Sequence, residues 1–240
     1  MKTLVVLPTY NEIENIDRML RAVRQSAPDA DILVVDDGSP DGTAETARQT
    51  GAEVGSTSVL ERQGKGGLGS AYRAGFAWGL ERGYDAFVEI DCDFSHDPRE
   101  LPTMIGLAEL NEVVIGSRYI PGGSIPSWST SRLILSKGGN RYASMMLGLG
   151  VSDSTAGYRV YRKSALEKID YSNVKADGYG FQIEMTYRAR RGGASIVEHP
   201  ISFTDRTEGE SKMSRAIVTE ALWMVTKWGL ARLVGGPRLN

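Results

Sequence analysis

Four short apolar runs, at residues 3–7, 32–35, 86–90 and 113–115, constrain the fold of this chain more than any other feature. They are rich in Val and Ile, and none shows the apolar–polar alternation of a strand with one wet face. Such runs read as strands covered on both faces, hence as a parallel sheet. Between the first two, Ile13, Ile16, Leu20 and Val23 recur at helical spacing, with Asn11 as N-cap and Glu14 as its capping-box partner. A second helix is expected after Asp41-Gly42-Thr43 and a third over 70–82. This order predicts an α/β fold: an open, mostly parallel sheet flanked by helices, with ligands outside the carboxyl ends of its strands.

Beyond residue 120 the alternation loosens. A Gly/Pro/Ser loop at 121–129 leads to a helix near 132–149, then short strands and another helix near 180–190. The reading is one domain over 1–214, followed by a C-terminal amphipathic helix and tail over 215–240. In that helix Ile217, Ala221, Met224, Val225, Trp228 and Ala231 recur at helical spacing. This stripe suits either core packing or, with Trp223, Trp228 and nearby cations, a membrane interface.

Composition narrows the functional classes. The 28 Lys+Arg against 30 Asp+Glu give a net charge of −2, against a surface built for nucleic acid. One cysteine, Cys92, excludes an internal disulfide and a Cys-rich zinc site, and two histidines leave no room for a histidine cluster. No stretch reaches the roughly 18 apolar residues of a membrane span. The N-terminus lacks a signal-peptide pattern, so the expected setting is cytoplasmic.

The chemistry-bearing residues fall at predicted strand ends. Pro8 to Glu12 follow the first, Asp36-Asp37 the second, and Asp91-Cys92-Asp93 a later one. Two carboxylates one residue apart offer hard oxygen ligands to Mg2+ or Mn2+, which in turn bind substrate phosphates. Cys92 reads as a packing residue, and His96 as the opening of a helix near Pro98. Gly64, Gly66 and Gly69 match the dinucleotide fingerprint, with Glu89 about 20 residues on, but not after the first strand. They read better as a turn or as a loop whose amides, with Lys65, lie near a nucleotide. The calcium-loop pattern beginning at Asp37 fails at its twelfth position, Arg48. Arg118, Arg132, Arg206 and Lys212, all at loops or element ends, suggest phosphate binding.

Together these pieces resemble one family. Leu7-Pro8-Thr9-Tyr10-Asn11-Glu12, Val34-Val35-Asp36-Asp37-Gly38-Ser39-Pro40-Asp41-Gly42-Thr43 and Gly64-Lys65-Gly66-Gly67-Leu68-Gly69 are similar to the inverting glycosyltransferases of family 2. Asp91-Cys92-Asp93, Gly116-Ser117-Arg118-Tyr119, Ser136-Lys137-Gly138-Gly139-Asn140 and the stretch 206–212 resemble the dolichol- or polyprenol-phosphate mannose synthases among them. The resemblance implies a GT-A fold and mannosyl transfer from GDP-mannose to a polyprenyl monophosphate at a membrane surface. It implies that Pro8, Tyr10, Glu12, Val35 and Asp37 hold the nucleotide, with Asp91, Cys92 and Asp93 at the diphosphate. Asp91, Asp93 and Ser95 would meet the metal; many relatives carry Gln where this chain has Ser95. Arg118, Arg132 and Ser136 would face the acceptor phosphate, and Arg206 and Lys212 would close over the donor. Asp91, Asp93 and Arg118 would be the catalytic set. Anchoring would come from the amphipathic tail or a separate membrane-anchoring protein, placing the enzyme peripherally on the cytoplasmic face. The rival readings are a UDP-glucose-dependent transferase to the same lipid, a non-catalytic membrane-associated nucleotide-binding protein, and an NAD(P) dehydrogenase.

Overall fold

The structure, a computed structural model, describes residues 1–205 and 215–233, with side chains of the second span from 221 to 232. The first half runs β1 (Thr3–Thr9), α1 (Ile13–Ser26), β2 (Asp31–Asp36), α2 (Thr43–Val54), β3 (Thr57–Glu61), α3 (Leu68–Glu81) and β4 (Ala86–Glu89). The missing alternation now has its cause. Leu4, Val6, Leu33, Val35 and Phe87 point into one core with α3, while Val5, Leu7, Ile32, Val34 and Val88 point into a second with α1. Successive side chains leave a strand on opposite faces, so a strand between two cores must be apolar throughout.

Strand β3 has no such run. It is the sheet edge, only half-buried, and its Thr-Ser-Val-Leu-Glu sequence hides it.

The second half runs α4 (Leu101–Leu107), β5 (Val113–Ser117), α5 (Thr130–Leu147), β6 (Arg159–Arg162), α6 (Lys163–Ile169), α7 (Gly178–Arg191), β7 (Ile196–Pro200) and α8 (Arg215–Leu233). Among the described residues the sheet has the order β3-β2-β1-β4-β6-β5-β7. Strand β6 lies antiparallel between β4 and β5; the other pairings are parallel. That one reversed strand is why the simple alternation fails after residue 120.

The start of α1 differs from the expected capping box. Glu12, not Asn11, occupies the cap, and its side chain caps nothing. The orphan amides instead find partners on the loop before α2: Asn11 N–H donates to Ser39 Oγ (3.0 Å), Glu12 N–H to Thr43 Oγ1 (2.9 Å) and Ile13 N–H to Asp41 Oδ2 (3.1 Å). A long-range cap replaces a local one and fixes the β1–α1 loop against the β2–α2 loop.

In α8 the predicted stripe packs inward. Val225 is buried, and Ala221, Met224 and Trp228 lie against the core. Leu222, Trp223 and Leu230 remain exposed. No helix among the described residues is long and apolar enough to cross a membrane.

Candidate active site

The strand ends open into a cavity of about 660 Å³. Pro8, Tyr10, Glu12 and Asp37 line one side, Asp91, Cys92, Asp93 and Ser95 its base, and Arg118 and Arg132 the opposite side. Two expected residues stay outside the lining. Val35 is wholly buried in β2, and Ser136 Oγ lies 2.6 Å from the Tyr119 hydroxyl. Arg206 and Lys212 lie outside the described residues.

Asp36 and Asp37 divide their roles. Asp36 closes the turn after β2, accepting from Thr9 Oγ1 (2.9 Å), Ser39 Oγ (2.6 Å) and the Ser39 amide (2.8 Å). Asp37 faces the cavity, accepting from Arg62 Nη1 (2.7 Å) and the Gly66 amide (2.9 Å). The Gly69 amide donates to Asp177 Oδ1 at 2.7 Å. Gly67 has φ +88°, and a Cβ there would collide with the Asp177 carboxylate. The glycine-rich segment is therefore a turn clamped between two carboxylates, which repel phosphate; a dinucleotide cradle does not fit. Lys65 Nζ stands 4.6 Å from the centre of the Tyr10 ring.

At the end of β4 the Tyr72 hydroxyl donates to Asp91 Oδ1 (3.4 Å) and the Ser95 amide to Asp93 Oδ1 (3.0 Å). Phe94 between them has φ +58°, as does Asn11 beyond β1. A bulky residue in the left-handed region is strained, and such strain collects at functional sites.

His96 is placed differently from its sequence reading. Asp97 caps the turn before α4, accepting from the Arg99 amide at 2.9 Å. The His96 ring instead lines the cavity, packed edge-on against Tyr158 and Phe203. Its Nδ1 is buried without a hydrogen-bond partner, 3.9 Å from Asp91 Oδ2. Burial pulls its pKa down to about 4, so the ring is neutral at pH 7.

This donor set fits a divalent cation. Among the described residues no three carboxylate, thiol or imidazole groups converge into a closed metal cage. Mg2+-type sites seldom need one: they use one or two carboxylates and are completed by substrate phosphates and water. The orphaned His96 nitrogen adds a ligand type that suits Mn2+.

Arg118 and Arg132 differ sharply. Arg118 Nε and Nη2 both reach Asp153 at 2.7 Å, its amide reaches the same carboxylate at 3.0 Å, and Nη2 also meets Thr155 Oγ1 at 2.9 Å. Burial opposes both charges, yet the pairing prevails: the Asp153 pKa is lowered and that of Arg118 raised. Arg132 stacks 3.9 Å from the Trp128 ring centre and contacts Asp205 through Nη1 at 3.2 and 3.4 Å. Trp128, Asp153, Phe203 and Asp205 carried no sequence signal beyond nearness to predicted cations or, for Trp128, to a Gly/Pro/Ser loop.

Beneath the floor Gln182 Nε2 donates to Glu89 Oε2 at 2.8 Å. Burial pushes the Glu89 pKa up to about 8, against the opposing pull of Arg159 and Gln182.

Comparison with known proteins bears on the family and the fold. The chain is 52% identical over 238 residues to an undecaprenyl-phosphate mannosyltransferase of Micrococcus luteus, covering 99% of this chain and 98% of that one. It is 49% identical over 231 residues to a polyprenol monophosphomannose synthase of Mycolicibacterium smegmatis, covering 95% and 87%. Its fold superposes with a TM-score of 0.64 on a mannosyltransferase from Pyrobaculum calidifontis solved with GDP-Man and Mn2+, at 14% identity and covering 99% of this chain and 65% of that one. The fold is GT-A. The family model for glycosyl transferase family 2 matches residues 4–170, the span holding the ends of β1, β2, β4 and β5 at the cavity, and with relatives alike along nearly the whole chain it makes this protein a glycosyltransferase of family 2.

Proposed function

We infer that the protein is a polyprenol-phosphate mannosyltransferase that takes mannose from GDP-mannose and releases polyprenyl phosphate mannose and GDP. The observation that carries this reading is one cavity with paired carboxylates at its base and two arginines on one side. The relatives' names add the sugar and the lipid class.

In this reading Pro8, Tyr10, Glu12 and Asp37 hold the nucleotide, while Asp91, Asp93 and Ser95, with His96 beside them, hold Mg2+ or Mn2+. The cation supplies counter-charge for the departing diphosphate. Arg118 and Arg132 orient the acceptor phosphate, with Ser136 behind them on α5. A phosphate monoester carries about −1.5 to −2 charge at pH 7, so it is already a nucleophile. No side chain need take a proton, and His96 is too weak a base to be required. Catalysis is then positioning and charge stabilisation: two anionic substrates held together, with attack on C1 opposite the leaving GDP.

The acceptor is a lipid, and α5 supports a peripheral position on a membrane's cytoplasmic face. It exposes Ile134 and Leu135 beside Lys137 and Arg141, just after Arg132. In this division residues 1–214 are the catalytic domain and 215–240 its C-terminal helix and tail.

The test is donor competition: transfer to polyprenyl phosphate from labelled GDP-mannose and, in parallel reactions, from labelled UDP-glucose, each against the other donor unlabelled, with metal or chelator. Metal-dependent mannolipid, uncompeted by UDP-glucose, supports the reading. Glucolipid alone overturns the donor.

A further inference from the structure

The two cavity arginines come from different elements: Arg118 follows β5, whereas Arg132 stands in the first turn of α5. Their spacing therefore depends on how α5 is seated. Arg132, Ser136 and Asn140 recur every four residues, which puts them on one stripe of that helix. Ser136 Oγ meets the Tyr119 hydroxyl at 2.6 Å, next to Arg118 in the chain. Asn140, one turn further on, is only 3% exposed and uses its whole amide. Oδ1 accepts from the Ser154 amide at 2.8 Å and from Ser154 Oγ at 2.9 Å. Nδ2 donates to Thr155 Oγ1 and to the Ser136 carbonyl, both at 3.1 Å. Two acceptor sites and two donors are all that an asparagine amide has. Thr155 Oγ1 also accepts from Arg118 Nη2 at 2.9 Å and donates to Asp153 Oδ1 at 3.3 Å. A chain of side chains thus runs from α5 through Asn140 and Thr155 to the Arg118 guanidinium. Asparagine is a poor helix former, so its place inside the 18-residue α5 is explained by these contacts rather than by the helix.

We propose that Asn140 is a positioning residue that sets the spacing of Arg118 and Arg132, so that both guanidiniums grip one acceptor phosphate. This rests on the acceptor being a lipid monophosphate. Asn140 does not itself line the cavity, so it acts through Thr155 and through the seat of α5. The Asp153 fork fixes Arg118 to the segment 153–155. The bonds from Asn140 to Ser154 and Thr155 fix that segment to the helix that carries Arg132. Two charge-assisted contacts to one anion reinforce each other only while their geometry is held. Without Asn140 both arginines keep their charge, but the distance between them is no longer set.

The test is calorimetric titration of the full chain with farnesyl phosphate, in a double-mutant cycle of Asn140→Ala and Arg132→Met, with steady-state kinetics alongside. Asn140→Ala alone is expected to weaken farnesyl phosphate binding about tenfold and to raise acceptor KM in step, with GDP-mannose affinity unchanged. In the Arg132→Met background the same substitution adds about twofold or less, because a single arginine has no spacing to keep. Thr155→Val removes the hydroxyl between Asn140 and Arg118 and reproduces the loss, while Thr155→Ser keeps wild-type binding. Run in both backgrounds, that pair carries the test if Asn140→Ala does not fold. Losses that multiply in the double variant overturn the proposal, as does equal weakening of GDP-mannose or wild-type protein that binds no farnesyl phosphate. Wild-type protein that binds farnesyl phosphate yet transfers no mannose overturns the functional reading instead, and the cycle still decides Asn140.

Discussion

The two sides of the cavity are built by different means. The side assigned to the nucleotide stands on strand ends and mainly on backbone amides with near carboxylate partners: Asp36 accepts from Ser39, Asp93 from Ser95, and Asp37 from Gly66 across one crossover, with Gly69 to Asp177 the long-range exception. The side proposed for the acceptor stands on charges brought together along the chain, Arg118 with Asp153 and Arg132 with Asp205. The first arrangement follows from the topology of a parallel sheet, whose loops converge at one edge. The second exists only once the reversed strand β6 and the segment after β7 are in place. The side proposed for the nucleotide is thus mostly a property of the fold, and the side proposed for the acceptor rests on two side-chain ion pairs.

Substitutions break this contrast in graded ways. The largest effect falls at the base of the cavity: Asp93→Asn is expected to lower metal-dependent turnover by about 100-fold or more, and wild-type turnover at saturating metal would remove Asp93 from its assigned role. Next come the two ion pairs, compared by urea unfolding. Asp153→Ala strands a buried guanidinium and should cost about 3–5 kcal/mol, whereas Asp205→Ala should cost about 1 kcal/mol or less. Equal costs would erase the distinction between a buried and a half-exposed ion pair.

A smaller effect concerns pH. Glu89 has a folded pKa raised from near 4.5 to about 8, so between those values the folded state binds a proton that the unfolded state has lost. Its contribution is complete below pH 4.5 and is lost as pH rises through about 8. Stability measured from pH 5 to 9 should fall across that window in the wild type and fall less in Glu89→Gln. Identical slopes would show that Glu89 ionises normally. The smallest effect on the fold belongs to α5. The double change Ile134→Glu and Leu135→Glu should shift stability by about 0.5 kcal/mol or less, yet reduce sedimentation with anionic vesicles. Unaltered vesicle binding would move the membrane contact elsewhere.

What the sequence disclosed follows the same division. β1, β2, β4 and β5 were readable because burial on both faces keeps their middles apolar, with polar residues such as Asp36 and Glu89 only at the ends, and Asp37, Asp91 and Asp93 were readable because they follow those ends. β3 was not, since an edge strand needs no apolar run. The α1 cap was misread because its partners, Ser39, Asp41 and Thr43, come from another loop. Arg118 and Arg132 were visible as cations, but their carboxylates lie 35 and 73 residues away, beyond any local pattern. His96 looked like a helix opener because Asp97, its neighbour, is the residue that caps. Nothing local marks a ring that turns into a cavity.

In the proposed reaction this cavity joins a GDP-bound mannose directly to a lipid phosphate, with no protein group interposed. The most direct measurement is the anomeric configuration of the product formed from GDP-α-mannose and polyprenyl phosphate, read by NMR. Direct displacement predicts β-linked mannosyl phosphate, formed only with divalent metal present. An α-linked product, or a mannosyl group trapped on the protein, would contradict it.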